Sequence, residues 1–212
     1  MIENSYELYR LLEKQELLKD KPAMWWPNYG DFEVVIGAIL TQNAQWSRVE
    51  VSLENLRKLN ALDLETFSKL SIERLEELIS PSGLFKSKAK YLHTLAHSIK
   101  EGFGSFDNFC LKVDRSWLLR QKGIGPETAD SILCYACRRD FMVVDAYTAR
   151  LLSGLGYSFE SYDALQDWCV KGLYSKFKED KLFSVYALFH GMIVEFVKTN
   201  STGKKINIKG LI

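Results

Sequence analysis

Residues 117–133 read Trp117-Leu118-Leu119-Arg120-Gln121-Lys122-Gly123-Ile124-Gly125-Pro126-Glu127-Thr128-Ala129-Asp130-Ser131-Ile132-Leu133. A helical run halts at two glycines one residue apart, and a second helical run starts at once behind a proline. Glycine tolerates positive φ and leaves backbone amides uncovered. Pro126 suits a first helical turn, where its missing N–H costs nothing. The amides opening the second helix sit where the helix dipole favours an anion. Such a turn can grip a phosphate without any side-chain charge. The same letters also describe a plain αα-hairpin, and this stretch alone does not choose between the two.

The rest of the chain repeats the helical grammar. Of 212 residues, 47% are apolar and 26% charged, which excludes a disordered chain and leaves enough apolar surface for a core without staples. Net charge is +1, from 28 basic and 27 acidic residues, so bulk charge gives no sign of nucleic acid and DNA contact must rest on local placement. Cys110, Cys134, Cys137 and Cys169 imply no disulfide framework in a chain of this length without a secretory signal. The longest apolar run, Val34 to Leu40, is far short of a membrane span. The expectation is a reduced, soluble, cytoplasmic protein.

Alternating strand patterns are scarce, so the chain is expected to be all-α. Helices are predicted over about 6–18, 32–41, 46–59, 64–70, 72–79, 86–101, 106–113, 114–121, 126–138, 147–155, 162–174 and 182–198. Phe141 to Val144 is a short apolar link, and the tail after Asn200 reads as polar and Lys-rich.

Taken together, Gly123-Ile124-Gly125, Thr128-Ala129, Ile132-Leu133, Val144-Asp145 and Arg150 resemble the helix-hairpin-helix DNA glycosylases with their Gly/Pro…Asp motif, the HhH-GPD superfamily. Ile39-Leu40-Thr41-Gln42-Asn43 is similar to the family's wedge loop. Gly83-Leu84-Phe85 with Ser87-Lys88-Ala89 is similar to the turn and helix ahead of the hairpin. The resemblance covers about residues 30–155. It implies two helical lobes: a six-helix barrel over 30–138, with the hairpin at about 114–138, and a terminal-helix lobe from 1–29 and 139–212. The substrate base would enter a cleft between the lobes.

Within that family the chain resembles most closely the 3-methyladenine DNA glycosylase III branch. Glu127 stands where endonuclease III-like members carry a Schiff-base lysine, and a carboxylate forms no imine, so no lyase step is expected. Endonuclease III-like chains often end in four clustered cysteines holding an iron–sulfur cluster, whereas here only Cys169 follows the hairpin, so no cluster is expected. The branch match implies Trp25, Trp26, Pro27, Trp46, Glu127 and Lys198 as base-pocket residues. Indole faces attract a cationic ring by about 0.5–2 kcal/mol, and a methylated purine carries that charge. Some branch members have lysine where Met192 stands.

The implied reaction is excision of alkylated purines, chiefly 3-methyladenine, from duplex DNA by base flipping and hydrolysis of the N-glycosidic bond. Asp145 is the expected catalytic carboxylate beside the sugar, stabilising positive charge there and orienting or deprotonating water; its plainer role would be to cap the helix starting at Ala146. Gln42 is expected either to fill the gap left in the duplex or to be a surface amide. Glu127 either shapes the pocket for a cation or merely favours a helix N-terminus. Lys88, Lys122, Gly123, Ile124 and Gly125 are the expected DNA contacts. Lys204, Lys205 and Lys209 are either a DNA-facing tail or a solvated run. The resemblance also implies a monovalent Na or K ion on the carbonyls of Leu119, Gln121 and Ile124. His93, His97 and His190 receive no role. The protein is expected to be monomeric and to work at the nucleoid. Two alternatives stand: an endonuclease III-like glycosylase/AP lyase, and a non-catalytic DNA-binding hairpin module.

Overall fold

The computed structural model describes residues 2–203 and 205–211. The helices are α1 (Ser5–Glu13), α2 (Phe32–Leu40), α3 (Trp46–Arg57), α4 (Leu64–Phe67), α5 (Ile72–Ile79), α6 (Phe85–Phe103), α7 (Phe106–Lys112), α8 (Arg115–Leu119), α9 (Pro126–Ser131), α10 (Ala146–Gly154), α11 (Tyr162–Tyr174) and α12 (Glu179–Asn200). Two two-residue strands, β1 (Ser201–Thr202) and β2 (Lys205–Ile206), pair antiparallel at the end. The chain divides into two compact units, Asn28–Arg138 and Met1–Pro27 with Arg139–Ile212.

The unit of Asn28–Arg138 is built around α2. Its sequence Phe-Glu-Val-Val-Ile-Gly-Ala-Ile-Leu is apolar on nearly every face, and all nine residues are buried. A helix that is apolar all round has no solvent face to present, so α3, α6 and α9 pack around it. Side-chain caps mark the starts the sequence signals: Asp63 for α4, Ser71 for α5, Ser105 for α7 and Asp114 for α8. Arg115 and Asp130 join α8 to α9 by a two-pronged ion pair, Nε to Oδ1 at 2.7 Å and Nη2 to Oδ2 at 3.1 Å. The helix after the hairpin turn does not run evenly to Arg138. Ile132–Ala136 winds as a π-helical turn. Its Tyr135 carbonyl accepts the Gly30 N–H at 2.7 Å, and a Cβ at Gly30 (φ +91°) would fall on the Arg138 guanidinium.

The other unit packs α1, α10, α11 and α12 around a core that includes Leu8, Leu12, Leu151, Leu152, Leu173, Phe189, Ile193 and Phe196. By length and hydropathy α12 could cross a membrane, yet 67% of that window is buried within the protein, as in a core helix. Two expectations are corrected here. The predicted first helix over 6–18 stops at Glu13, because Glu16 takes a left-handed φ of 51° and turns the chain. The tail is not simply polar: Ile206, Ile208 and Leu211 return to the core, and Gln15 Nε2 donates to the Gly210 carbonyl at 2.9 Å. Lys204 lies outside the described residues.

Candidate active site and hairpin

In the terminal-helix unit the site starts from a helix cap. Asp145 ends the extended link Val143-Val144 and opens α10. Its Oδ1 accepts the Thr148 backbone N–H at 2.8 Å and the Thr148 hydroxyl at 2.9 Å. Oδ2 faces His190 Nε2 at 3.4 Å. Burial by itself would raise the pKa of this carboxyl, but the His190 contact and the Thr148 bonds outweigh it and hold the group below its ordinary range. Asp145 is therefore a half-buried carboxylate, its side chain 12% exposed, that stays charged at neutral pH. Nearby, burial and the Asp145 charge push the Cys169 thiol far up, so it stays protonated.

The indoles follow from Pro22 and Pro27, which bracket a tight loop. Trp25 adopts φ +66°, a left-handed conformation that costs a non-glycine residue about 1–2 kcal/mol. The contacts around its ring hold it there. Nε1–H donates to Glu195 Oε1 at 3.1 Å, and Lys198 Nζ stands 5.8 Å from the ring centre. The ring meets His190 edge-on at 5.1 Å and Trp26 edge-on at 6.1 Å. A Cβ at Gly191 would strike the indole, so glycine there lets Trp25 lie against α12. Burial would raise the Glu195 pKa, but Lys21 at 2.9 Å, Trp25 and Lys198 hold it below the usual range. Trp26 is buried, Trp25 and Pro27 are half-buried, and Lys198 is exposed.

In the unit of Asn28–Arg138 the hairpin turn has Gly123 at φ +84°, where a Cβ would fall on the Tyr91 ring. Ile124 is buried, while Lys122, Gly125 and Glu127 are exposed, Glu127 in the first turn of α9. Gln42 Nε2 donates to the Gly123 carbonyl at 2.9 Å and to Thr128 Oγ1 at 3.0 Å, fastening the predicted wedge loop to the hairpin. Trp46 opens α3 and is half-buried.

Lys88 departs from the expected phosphate contact. It is 2% exposed, and its Nζ donates to the carbonyls of Leu40 and Ser82, each at 2.8 Å. It thus joins the end of α2, which leads to Gln42, to the turn holding Leu84, an apolar side chain 66% exposed at φ +48°. Burial lowers the Lys88 pKa to about 8.

For the expected cation, Leu119, Gln121 and Ile124 share one turn, and the Gln121 carbonyl accepts the Ile124 N–H at 3.1 Å. A carbonyl has a second lone pair, so this bond leaves Gln121 able to take an ion, and the residues fit the group. No cluster of three His, Cys, Asp or Glu side chains suited to a metal occurs among the described residues. No disulfide joins the four cysteines, with Cys134 on the π turn and Cys169 on α11.

Asp145, Trp25, Trp26, Pro27 and Lys198 thus fall in one unit, and Trp46, Glu127 and the hairpin residues in the other. Sequence reasoning missed His190, Gly191 and Glu195. The signal available was the spacing of Gly191, Glu195 and Lys198, which share one face of an otherwise apolar helix.

Comparison with known proteins follows the same lines. Residues 36–166 match the HhH-GPD superfamily of base excision DNA repair proteins. A chain of Methanocaldococcus jannaschii, provisionally named a DNA repair glycosylase, is 37% identical over 206 residues, 93% of this chain and 90% of that one. The crystal structure of the Helicobacter pylori 3-methyladenine DNA glycosylase bound to 1,N6-ethenoadenine superposes with TM-score 0.90 at 42% identity, covering 94% of this chain and all of that one. An endonuclease III trapped on DNA shares the fold alone, with TM-score 0.72 at 17% identity over 97% of this chain and 92% of its own.

Proposed function

The chain belongs to the HhH-GPD superfamily of base excision DNA repair proteins, and within it we propose a monofunctional DNA glycosylase that releases alkylated, cationic purines, chiefly 3-methyladenine, from duplex DNA. The observation that carries this reading is Asp145: a half-buried carboxylate held charged by Thr148 and His190, in the same unit as the Trp25 indole. The likeness to a 3-methyladenine glycosylase that holds ethenoadenine supports an alkylated purine as substrate.

The flipped base would meet the indole faces. As the C1′–N bond breaks, its electron pair leaves with the base and neutralises the base's positive charge. Positive charge then spreads over C1′ and the ring oxygen, as in other glycoside cleavages. The fixed Asp145 charge stabilises that state without reorganising. Water adds at C1′, and its proton passes to Asp145 or to solvent. The base leaves as a neutral molecule, so no general acid is needed.

Glu127, which cannot form an imine, supports release without strand cleavage. The hairpin amides of 123–125 and Lys122 would hold the backbone, Gln42 would exchange its bonds to Gly123 and Thr128 for the gap in the duplex, and Trp46 and Glu127 would complete the base pocket. A Na or K ion on Leu119, Gln121 and Ile124 would rigidify the turn. The protein would act as a monomer at the nucleoid, without an iron–sulfur cluster.

The test is incubation with methylated duplex DNA and chromatographic identification of the free bases. Release of 3-methyladenine with intact strands is expected. Borohydride trapping of a protein–DNA adduct would instead favour the lyase, and binding without any base release the non-catalytic module.

A further inference from the structure

His190 touches both groups that the proposed reaction asks for. Its Nε2 is 3.4 Å from Asp145 Oδ2, and its ring is edge-on to Trp25 at 5.1 Å. It is 4% exposed and sits on α12 directly before Gly191, the residue that makes room for the indole. The two oxygens of Asp145 are held by different elements. Thr148 takes Oδ1 as a helix cap within α10, and that alone leaves the carboxylate free to swing about its cap bonds. The contact from α12 fixes the second oxygen.

We infer that His190 is a positioning residue: it orients Asp145 Oδ2 through Nε2–H and braces Trp25 with its ring, coupling the acid's aim to the seat of the aromatic platform. The inference rests on the reading of Asp145 as the acid beside the sugar. It assigns His190 no proton transfer. A donor to Oδ2 keeps the carboxylate charged and its lone pairs directed, and misaiming a catalytic group by an ångström costs on the order of a hundredfold in rate.

The experiment compares wild type, His190→Phe and His190→Gln in single-turnover excision from a duplex bearing one methylated purine. Phe keeps a ring against Trp25 without a donor, and Gln places an amide N–H near the position of Nε2. His190→Phe should be roughly tenfold to a hundredfold slower with unchanged affinity for abasic duplex, and His190→Gln should recover most of the rate. His190→Leu serves if the phenylalanine variant is unstable. Carbon-13 NMR of the Asp145 carboxyl gives a readout free of turnover: its titration midpoint should rise in His190→Phe and return in His190→Gln. A phenylalanine variant as fast as wild type, a glutamine variant as slow as phenylalanine, or an unmoved Asp145 midpoint overturns the inference while wild-type base release leaves the function standing. Absence of base release from wild type overturns the function and this inference together.

Discussion

The two units use charge in opposite ways. In the terminal-helix unit a half-buried carboxylate, Asp145, is kept ionised by donors aimed at each of its oxygens. In the unit of Asn28–Arg138 a buried cation, Lys88, rests on two neutral carbonyls, and its charged form is disfavoured. The first arrangement keeps a carboxylate charged, which on the proposed function would face a developing cation. The second ties two turns together, and the exposed surface of that unit offers backbone amides and the Lys122 charge at the hairpin. On the proposed function, a near-neutral chain would hold an anionic polymer through one unit and stabilise a cationic transition state through the other.

The largest effect should come from removing the stored charge. Asp145→Asn keeps a side-chain oxygen to cap α10, so the fold should persist, while single-turnover excision should fall by about 10²–10³ or more with DNA affinity retained. The pH profile gives the sign. Because the Asp145 pKa lies below its ordinary range, wild-type excision should persist as pH falls through the usual carboxylate region and fail only below it. A fully active asparagine variant would remove Asp145 from the mechanism.

Next is Lys88→Met, which leaves the Leu40 and Ser82 carbonyls without their cation and should cost about 1–3 kcal/mol in urea unfolding. The folded pKa of about 8 lies below the ordinary 10.5, so the unfolded chain holds more protons between these values. Wild-type stability should rise with pH across that window, and the methionine variant should lack the rise. Equal slopes in both proteins would place the Lys88 amine in a solvated setting.

Gly123→Ala should weaken abasic-duplex binding by about tenfold, because a left-handed φ and the Tyr91 ring both oppose a Cβ, a strain of about 1–2 kcal/mol. Excision at saturating protein should change little, which separates the grip from the chemistry. Smallest is the salt dependence. Lys122→Gln should lower the salt slope of DNA affinity by about 0.9, the loss of one phosphate contact, whereas Lys205→Gln with Lys209→Gln should leave it unchanged. The reverse ranking would make the tail, not the hairpin, the electrostatic footprint.

Much of this was legible in the chain. The Gly-x-Gly turn, the proline behind it, the apolar run of α2 and the Asp before Ala146 are local signals, because capping, turn conformation and helical periodicity depend on neighbours a few residues apart. The sequence by itself therefore determined an all-helical chain, its hairpin and its family. Lys88 shows where local reading stops: a lysine in a Ser-Lys-Ala run looks solvent-facing until the carbonyl 48 residues earlier is seen to receive it. His190 lies 45 residues from Asp145, and nothing in its own helix marks it. Only the tertiary structure decided which charges are buried and which partners they meet, because desolvation and hydrogen bonding depend on distance through space, and residues far apart in the chain set both.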